Sequence, residues 1–164
     1  MRRLTPCTRL SCRGVTLIET MVAVSIAALL AVSGLPFFGD YVVNSRLREG
    51  GNVLHADALF AQSEAIKRNG LVSLELSDSV VKVIDRSGGD AVVLRSRPLP
   101  SGVSLDITEP VKFTSAGRIT PFGRDYTIKF SMSGVTCSDD KRCPALRIEA
   151  GGAIRLCGNK LACE

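Results

Sequence analysis

The side chains in this sequence that could do chemistry fall into three groups. Glu19 is a lone carboxylate near the start of a long apolar run, residues 15–38. An ionised carboxylate inside a hydrocarbon layer costs roughly 2.5–3.5 kcal/mol on insertion scales, so such a residue marks a function or a charged partner. Near the edge of the layer it could instead reach water. Cys137, Cys143, Cys157 and Cys163 form the second group, two pairs each six residues apart. They can close disulfides or bind zinc, and zinc is disfavoured because no Cys-x-x-Cys pair or neighbouring histidine accompanies them. The third group is basic: Arg155, with Lys141, Arg142, Arg147 and Lys160 close by in sequence. Such residues can contact phosphate or simply keep a surface solvated.

No catalytic constellation accompanies these groups. His55 is the single histidine and lies beside an apolar helical stripe. No nucleophile or carboxylate stands near it at a spacing that supports covalent or acid–base work. The sequence therefore predicts no enzyme, no metal and no cofactor.

The elements that must position these residues follow from composition and periodicity. A chain of 164 residues suggests one domain with a modest core. The formal charge is +5. Four of the basic residues, Arg2, Arg3, Arg9 and Arg13, lie in the first fourteen positions, where no acid occurs. Without those four the charges nearly balance, so the basic pI does not by itself argue for nucleic acid. The apolar run that follows reaches ~36 Å as a helix, enough to cross a ~30 Å hydrocarbon core. Basic residues on its N-terminal side predict a cytoplasmic N-terminus. A small-residue secretory cleavage site is missing beyond the run, and the charge step falls before it, at Arg13-Gly14.

Beyond Phe38, Val43, Leu47, Gly50, Leu54, Ala58, Ala61 and Ala65 step by four and three, one apolar stripe of a helix. Arg46, Arg48, Glu49, Asn52, Asp57, Gln62 and Lys67 fill its other faces. Gly50-Gly51 reads as a weak point, at about 1 kcal/mol per glycine relative to alanine. Asn69-Gly70 reads as the stop, giving a helix from about Val15 to Asn69. From Leu71 the period becomes two. Strands are expected at 71–76, 81–85, 91–96, 103–107, 111–113, 126–132, 145–150 and 153–157, with hairpin loops at 87–90 and a two-residue turn at Gly151-Gly152. The fold class is α+β, a long helix on a mainly antiparallel sheet. Four cysteines allow three connectivities, and the two short loops, 137–143 and 157–163, are the favoured pairing.

The stretch from Gly14 through VTLIE to Glu19, after a basic leader and before an apolar run, resembles the class III signal of type IV pilins and pseudopilins. Val15 stands where that family usually has Phe or Met. The resemblance implies that a prepilin peptidase cuts between Gly14 and Val15 and methylates the new amine. It implies that Glu19 pairs with the amine of a neighbouring subunit, and Pro36 falls where many pilins have a kink-forming proline. Residues 59–74 and the F-x-x-x-G-R turn within 111–123 are similar to the GspH/FimT branch. The layout implied is a leader at 1–14, a transmembrane half-helix at 15–38, an amphipathic half-helix at 39–70 and a β-rich periplasmic domain at 71–164. The chain would be a single-pass protein of the bacterial inner membrane whose partners are the peptidase and other pilin or pseudopilin subunits.

Two functions then compete. One is a structural minor subunit of a type IV pilus or a type II secretion pseudopilus. The other is a FimT-like pilin that also binds double-stranded DNA. FimT-like proteins carry a G-R-x-R motif; Gly152-Ala153-Ile154-Arg155 corresponds to it, with Ala153 in place of the first arginine. Bases outnumber acids from Val111 onward, but no interleaved aromatics suggest base stacking.

Overall fold

A computed structural model describes residues 15–107, 109–159 and 163. The chain forms two compact units, one up to Phe38 and one from Gly39. Helix α1 (Leu17–Arg68) begins in the first and ends in the second, close to its expected bounds. Its C-terminus is capped as the Asn-Gly pair predicts. Asn69 takes a left-handed φ of 51°, its N–H bonds to the Ile66 carbonyl at 3.2 Å, and that of Gly70 bonds to Ala65 at 3.0 Å. Those bonds satisfy two carbonyls that a helix end leaves open.

Among the described residues nine strands follow: β1 (Val72–Ser77), β2 (Val80–Asp85), β3 (Val92–Pro98), β4 (Val103–Asp106), β5 (Val111–Phe113), β6 (Ile119–Thr120), β7 (Tyr126–Met132), β8 (Ala145–Ile148) and β9 (Ile154–Cys157). Every pairing is antiparallel. Periodicity alone suggested one sheet, but the strands divide into two. One has the order β3-β2-β1-β5-β6 and the other β4-β7-β8-β9. The division arises because β4 leaves its sequence neighbours and pairs with β7. Both inner faces pack on the same helical stripe. Val72, Leu74 and Phe113 from the first sheet and Ile128, Phe130 and Leu146 from the second share one core with Leu47, Leu54, Ala58 and Ala61.

At Gly50 and Gly51 the helix comes close to the second sheet. A Cβ on Gly50 would meet Val103 Cγ1 at 3.2 Å, and one on Gly51 would meet Leu156 Cδ1 at 3.2 Å and Pro144 Cγ at 3.3 Å. The pair read as a weakness is thus a packing device, since hydrogen side chains let helix and strand approach.

Two turns are built alike. Thr114 N–H bonds to Arg118 O at 2.8 Å, Gly117 N–H bonds to Thr114 O at 2.9 Å, and Gly117 has φ 70°. Glu149 N–H bonds to Ala153 O at 2.9 Å, Gly152 N–H bonds to Glu149 O at 2.8 Å, and Gly152 has φ 93°. The Gly151-Gly152 turn therefore has three residues, not two. The ladder closes at Glu149 and Ala153, and Gly152 supplies the left-handed residue that ends such a loop. Gln62 of α1 joins the two turns, its Nε2 donating to Gly117 O and to Gly152 O, each at 2.7 Å.

Asp57 departs from its expected place among the outer polar residues, for it is fully buried. The pairs Val83–Arg95 and Val81–Arg97 put both arginines on the sheet face of the buried valines, toward the helix. Arg95 Nη1 lies 3.2 Å and Arg97 Nε 3.6 Å from Asp57 Oδ1, and the Arg95 guanidinium covers the Phe60 ring at 3.6 Å.

Candidate assembly and processing site

Val15 and Thr16 precede the helix, and Leu17 is its first residue. Thr16 Oγ1 accepts the Glu19 N–H at 3.3 Å. Thr16 and Glu19 thus stand as N-cap and third helical residue, the T-x-x-E arrangement of a capping box. That spacing was legible in the sequence and supplies a local reason for a carboxylate at position 19, since acids are favoured in a helix's first turn. Gly14, expected to precede the cut, lies outside the described residues with the rest of 1–14.

Leu17–Gly34 has a mean hydropathy of 2.0 and is long and apolar enough to cross a membrane. Its large side chains, such as Leu17, Ile18, Leu29 and Leu30, are exposed in the chain by itself. A surface this apolar requires an apolar environment from outside the chain. Its hydroxyls are turned onto the backbone: Thr20 donates to Leu17 O at 2.7 Å, Ser25 to Met21 O at 2.8 Å and Ser33 to Leu29 O at 2.9 Å. Polar groups satisfied within the helix suit a medium without water. Glu19 is the single charged residue of the segment.

The second region is C-terminal. Disulfides join Cys137 to Cys143 and Cys157 to Cys163. The first loop is held against α1 by Asn44, whose Nδ2 donates to Asp140 O at 2.8 Å and whose Oδ1 accepts from Arg142 N–H at 3.0 Å. Lys141 Nζ lies 3.3 Å from Asp40. Cys163 is buried, with its sulfur 3.9 Å from Ala145 O.

The basic candidates do not form one patch. Arg147 and Arg155 are directly opposite each other on β8 and β9, on the face turned away from core residues Leu146 and Ile148. Arg147 pairs with Asp125 at 3.2 Å, and Arg155 pairs with Glu149. The Ala150 N–H and then Arg147 hold the Asp125 carboxyl below the usual carboxylate range. Lys141 and Arg142 sit instead on the disulfide loop beside α1. Lys160 lies outside the described residues. His55 is half-buried on α1.

Known proteins resemble this chain in sequence and fold. The motif described as the prokaryotic N-terminal methylation motif matches residues 9–35. A fimbrial protein of Moraxella nonliquefaciens is 29% identical over 89 residues, 52% of this chain and 56% of that protein. The chain thus spans little more than half the length of that relative. Among solved structures, the type IV minor pilin FimU of Pseudomonas aeruginosa aligns with a TM-score of 0.57 at 23% identity, over 68% of this chain and 88% of that one. The minor pseudopilin EpsH from the Type 2 Secretion System of Vibrio cholerae aligns at 0.53 and 12% identity, over 70% and 97%. At these identities the likeness establishes the fold. The sequence model described as type II transport protein GspH matches residues 51–158, most of the unit that follows Phe38. With a long capped helix, two antiparallel sheets and a methylation motif at its head, the chain belongs to the GspH family.

Proposed function

We propose that this chain is a minor structural subunit of a type IV pilus or type II secretion pseudopilus. The observation that carries the reading is Glu19, the one charge in the exposed apolar segment Leu17–Gly34, inside the matched methylation motif. Residues 1–14 are the leader; a prepilin peptidase removes it at Gly14–Val15 and methylates Val15. Residues 15–38 lie in the bacterial inner membrane. The rest, an amphipathic half-helix at 39–70 and the sheets at 71–164, is periplasmic, where the two disulfides persist. On assembly the Glu19 carboxylate meets the Val15 amine of a neighbouring subunit, because a charge in a dry environment is tolerated when paired. N-terminal sequencing and mass measurement of the membrane-extracted protein test this. The chain should start at a methylated Val15, and Gly14→Ala should leave the precursor largely uncut. A protein that still starts at Met1 would overturn the reading.

Double-stranded DNA as a partner draws less support. Arg155 and Arg147 each face a carboxylate, and Lys141 and Arg142 sit on a separate loop. A salt titration of duplex binding separates the readings. Three phosphate contacts would give a log–log slope of about −2.7, and a purely structural subunit gives no binding at low salt.

A further inference from the structure

Asn44, Arg48 and Asn52 recur every four residues along α1 and form one wall of a cleft of about 760 Å³. Asp139, Asp140 and Arg142 of the Cys137–Cys143 loop form the other, and Pro144 and Leu156, which pack near Gly51, give it an apolar base. Asn44 is engaged in holding the loop. The side chains of Arg48 and Asn52 have no hydrogen-bond or ion-pair partner among the described residues. The Arg142 guanidinium uses only Nε, donated to Asp139 O at 3.2 Å, and its terminal nitrogens are open among the described residues. By contrast, Arg147 and Arg155 on the outer sheet face are paired.

We propose that this cleft receives an extended peptide segment of an adjoining filament subunit, with an acidic side chain set between Arg48 and Arg142. The inference rests on the subunit reading above. Three features support the occupant. Four residues of helix rise about 6 Å and two residues of extended chain about 6.6–6.8 Å, so alternate side chains of a strand laid along α1 keep step with Arg48 and Asn52. A guanidinium offers a planar fork to a carboxylate, and the open amide of Asn52 can both donate to and accept from a main chain. The wall is α1 itself, so a neighbour packed along the assembly helix continues onto it. Asp139 and Asp140 set the limit: they repel a second acid, so the segment carries one acid among neutral or basic residues.

The test uses the full-length chain in cells that hold its assembly partners. A photo-crosslinking residue replaces Ala56, the exposed next step of the Asn44–Arg48–Asn52 row. Two further chains carry it at Val24, in the apolar helix, or at Thr127, on the outer sheet face. The Ala56 probe should capture another subunit through a peptide containing an acidic residue, and the Thr127 probe should not. Arg48→Glu and Arg142→Glu should each lower the Ala56 adduct about tenfold, with both disulfides intact by mass and the Val24 adduct unchanged. Changing the captured acid to lysine should restore the Arg48→Glu adduct. An Ala56 adduct that ignores both substitutions overturns the proposal, as does capture of nucleic acid or lipid in place of protein. So does a missing Ala56 adduct when the Val24 probe still captures a subunit. If Val24 captures none either, the subunit reading itself fails and the cleft assignment with it.

Discussion

Gly152 lies so close to the carbonyl oxygen of Gly117 that a Cβ built on it would stand 2.2 Å away. The contact brings a turn of each sheet together under the Gln62 side chain, which bonds to both carbonyls.

Gly152→Ala should therefore destabilise the unit that starts at Gly39. A left-handed φ costs an alanine about 1–2 kcal/mol, and the backbone it meets cannot rotate away as a side chain could. Together these should lower stability by at least ~2 kcal/mol and Tm by roughly 8 °C. Thermal unfolding with both disulfides closed measures it, and a variant within about 2 °C of the parent would contradict the contact.

Glu19→Ala should leave the protein in the membrane and out of the filament. Removing the carboxylate lifts an insertion cost of roughly 2.5–3.5 kcal/mol, so insertion holds or improves. On the proposed reading, assembly loses its charge partner. The share of protein in sheared filaments, relative to total membrane protein, should fall sharply. Equal shares would make Glu19 an interfacial carboxylate with no role in assembly.

Arg95→Met keeps an apolar stem over Phe60 but strands Asp57 with Arg97 alone, 3.6 Å away. Breaking a buried pair from one side costs about 3 kcal/mol. The double variant Asp57→Leu with Arg95→Met should recover most of that loss, because no buried charge then remains. Denaturant unfolding of the singles and the double reports the coupling, and simple additivity would mean the pair does not interact.

Acid should weaken the fold at carboxylates that the structure stabilises in charged form. Arg68 and, against some burial, Lys67 lower Glu64, while the Ala150 N–H and Arg147 lower Asp125. Their folded pKa values lie below the unfolded ones. The stability they contribute is present above about pH 4 and is lost as pH falls through the folded values. Unfolding midpoints measured from pH 7 down to pH 3 should decline below pH 4. Glu64→Gln and Asp125→Asn should each make that decline shallower, and an unchanged acid limb would count against these bonds.

Much of this was legible in the sequence because local rules govern it. The stripe from Val43 to Ala65, the Asn69-Gly70 stop and the period-two strands depend on near neighbours. What stayed hidden depends on distant ones. Asp57 looked like a solvent residue because its partners, Arg95 and Arg97, come from a strand 38 and 40 positions later. Gly50-Gly51 looked weak until Val103, Pro144 and Leu156 arrived beside them. The two residues of β6, between Gly117 and Pro121, are too few to show a period. At the candidate site, Glu19 stands out as an isolated charge, while Thr16, three residues earlier, shows its capping role only once the helix start is fixed. The basic group looked continuous in sequence, but β8 and β9 carry Arg147 and Arg155 away from the loop that holds Arg142.

Strand β3 lies at the rim of its sheet with one row of backbone groups unpaired by any strand. A seven-residue rim of that kind is a ready template for a stray chain, and in a family whose members assemble with one another it would compete with ordered assembly. Arg95 and Arg97, turned inward onto Asp57, and Pro98 at the end of the strand blunt that template. An incoming strand would have to lie beside charges already committed to the interior. The ion pair that holds the sheet to the helix thus also guards this rim, so loss of Arg95 should show itself first as clumped, amorphous protein.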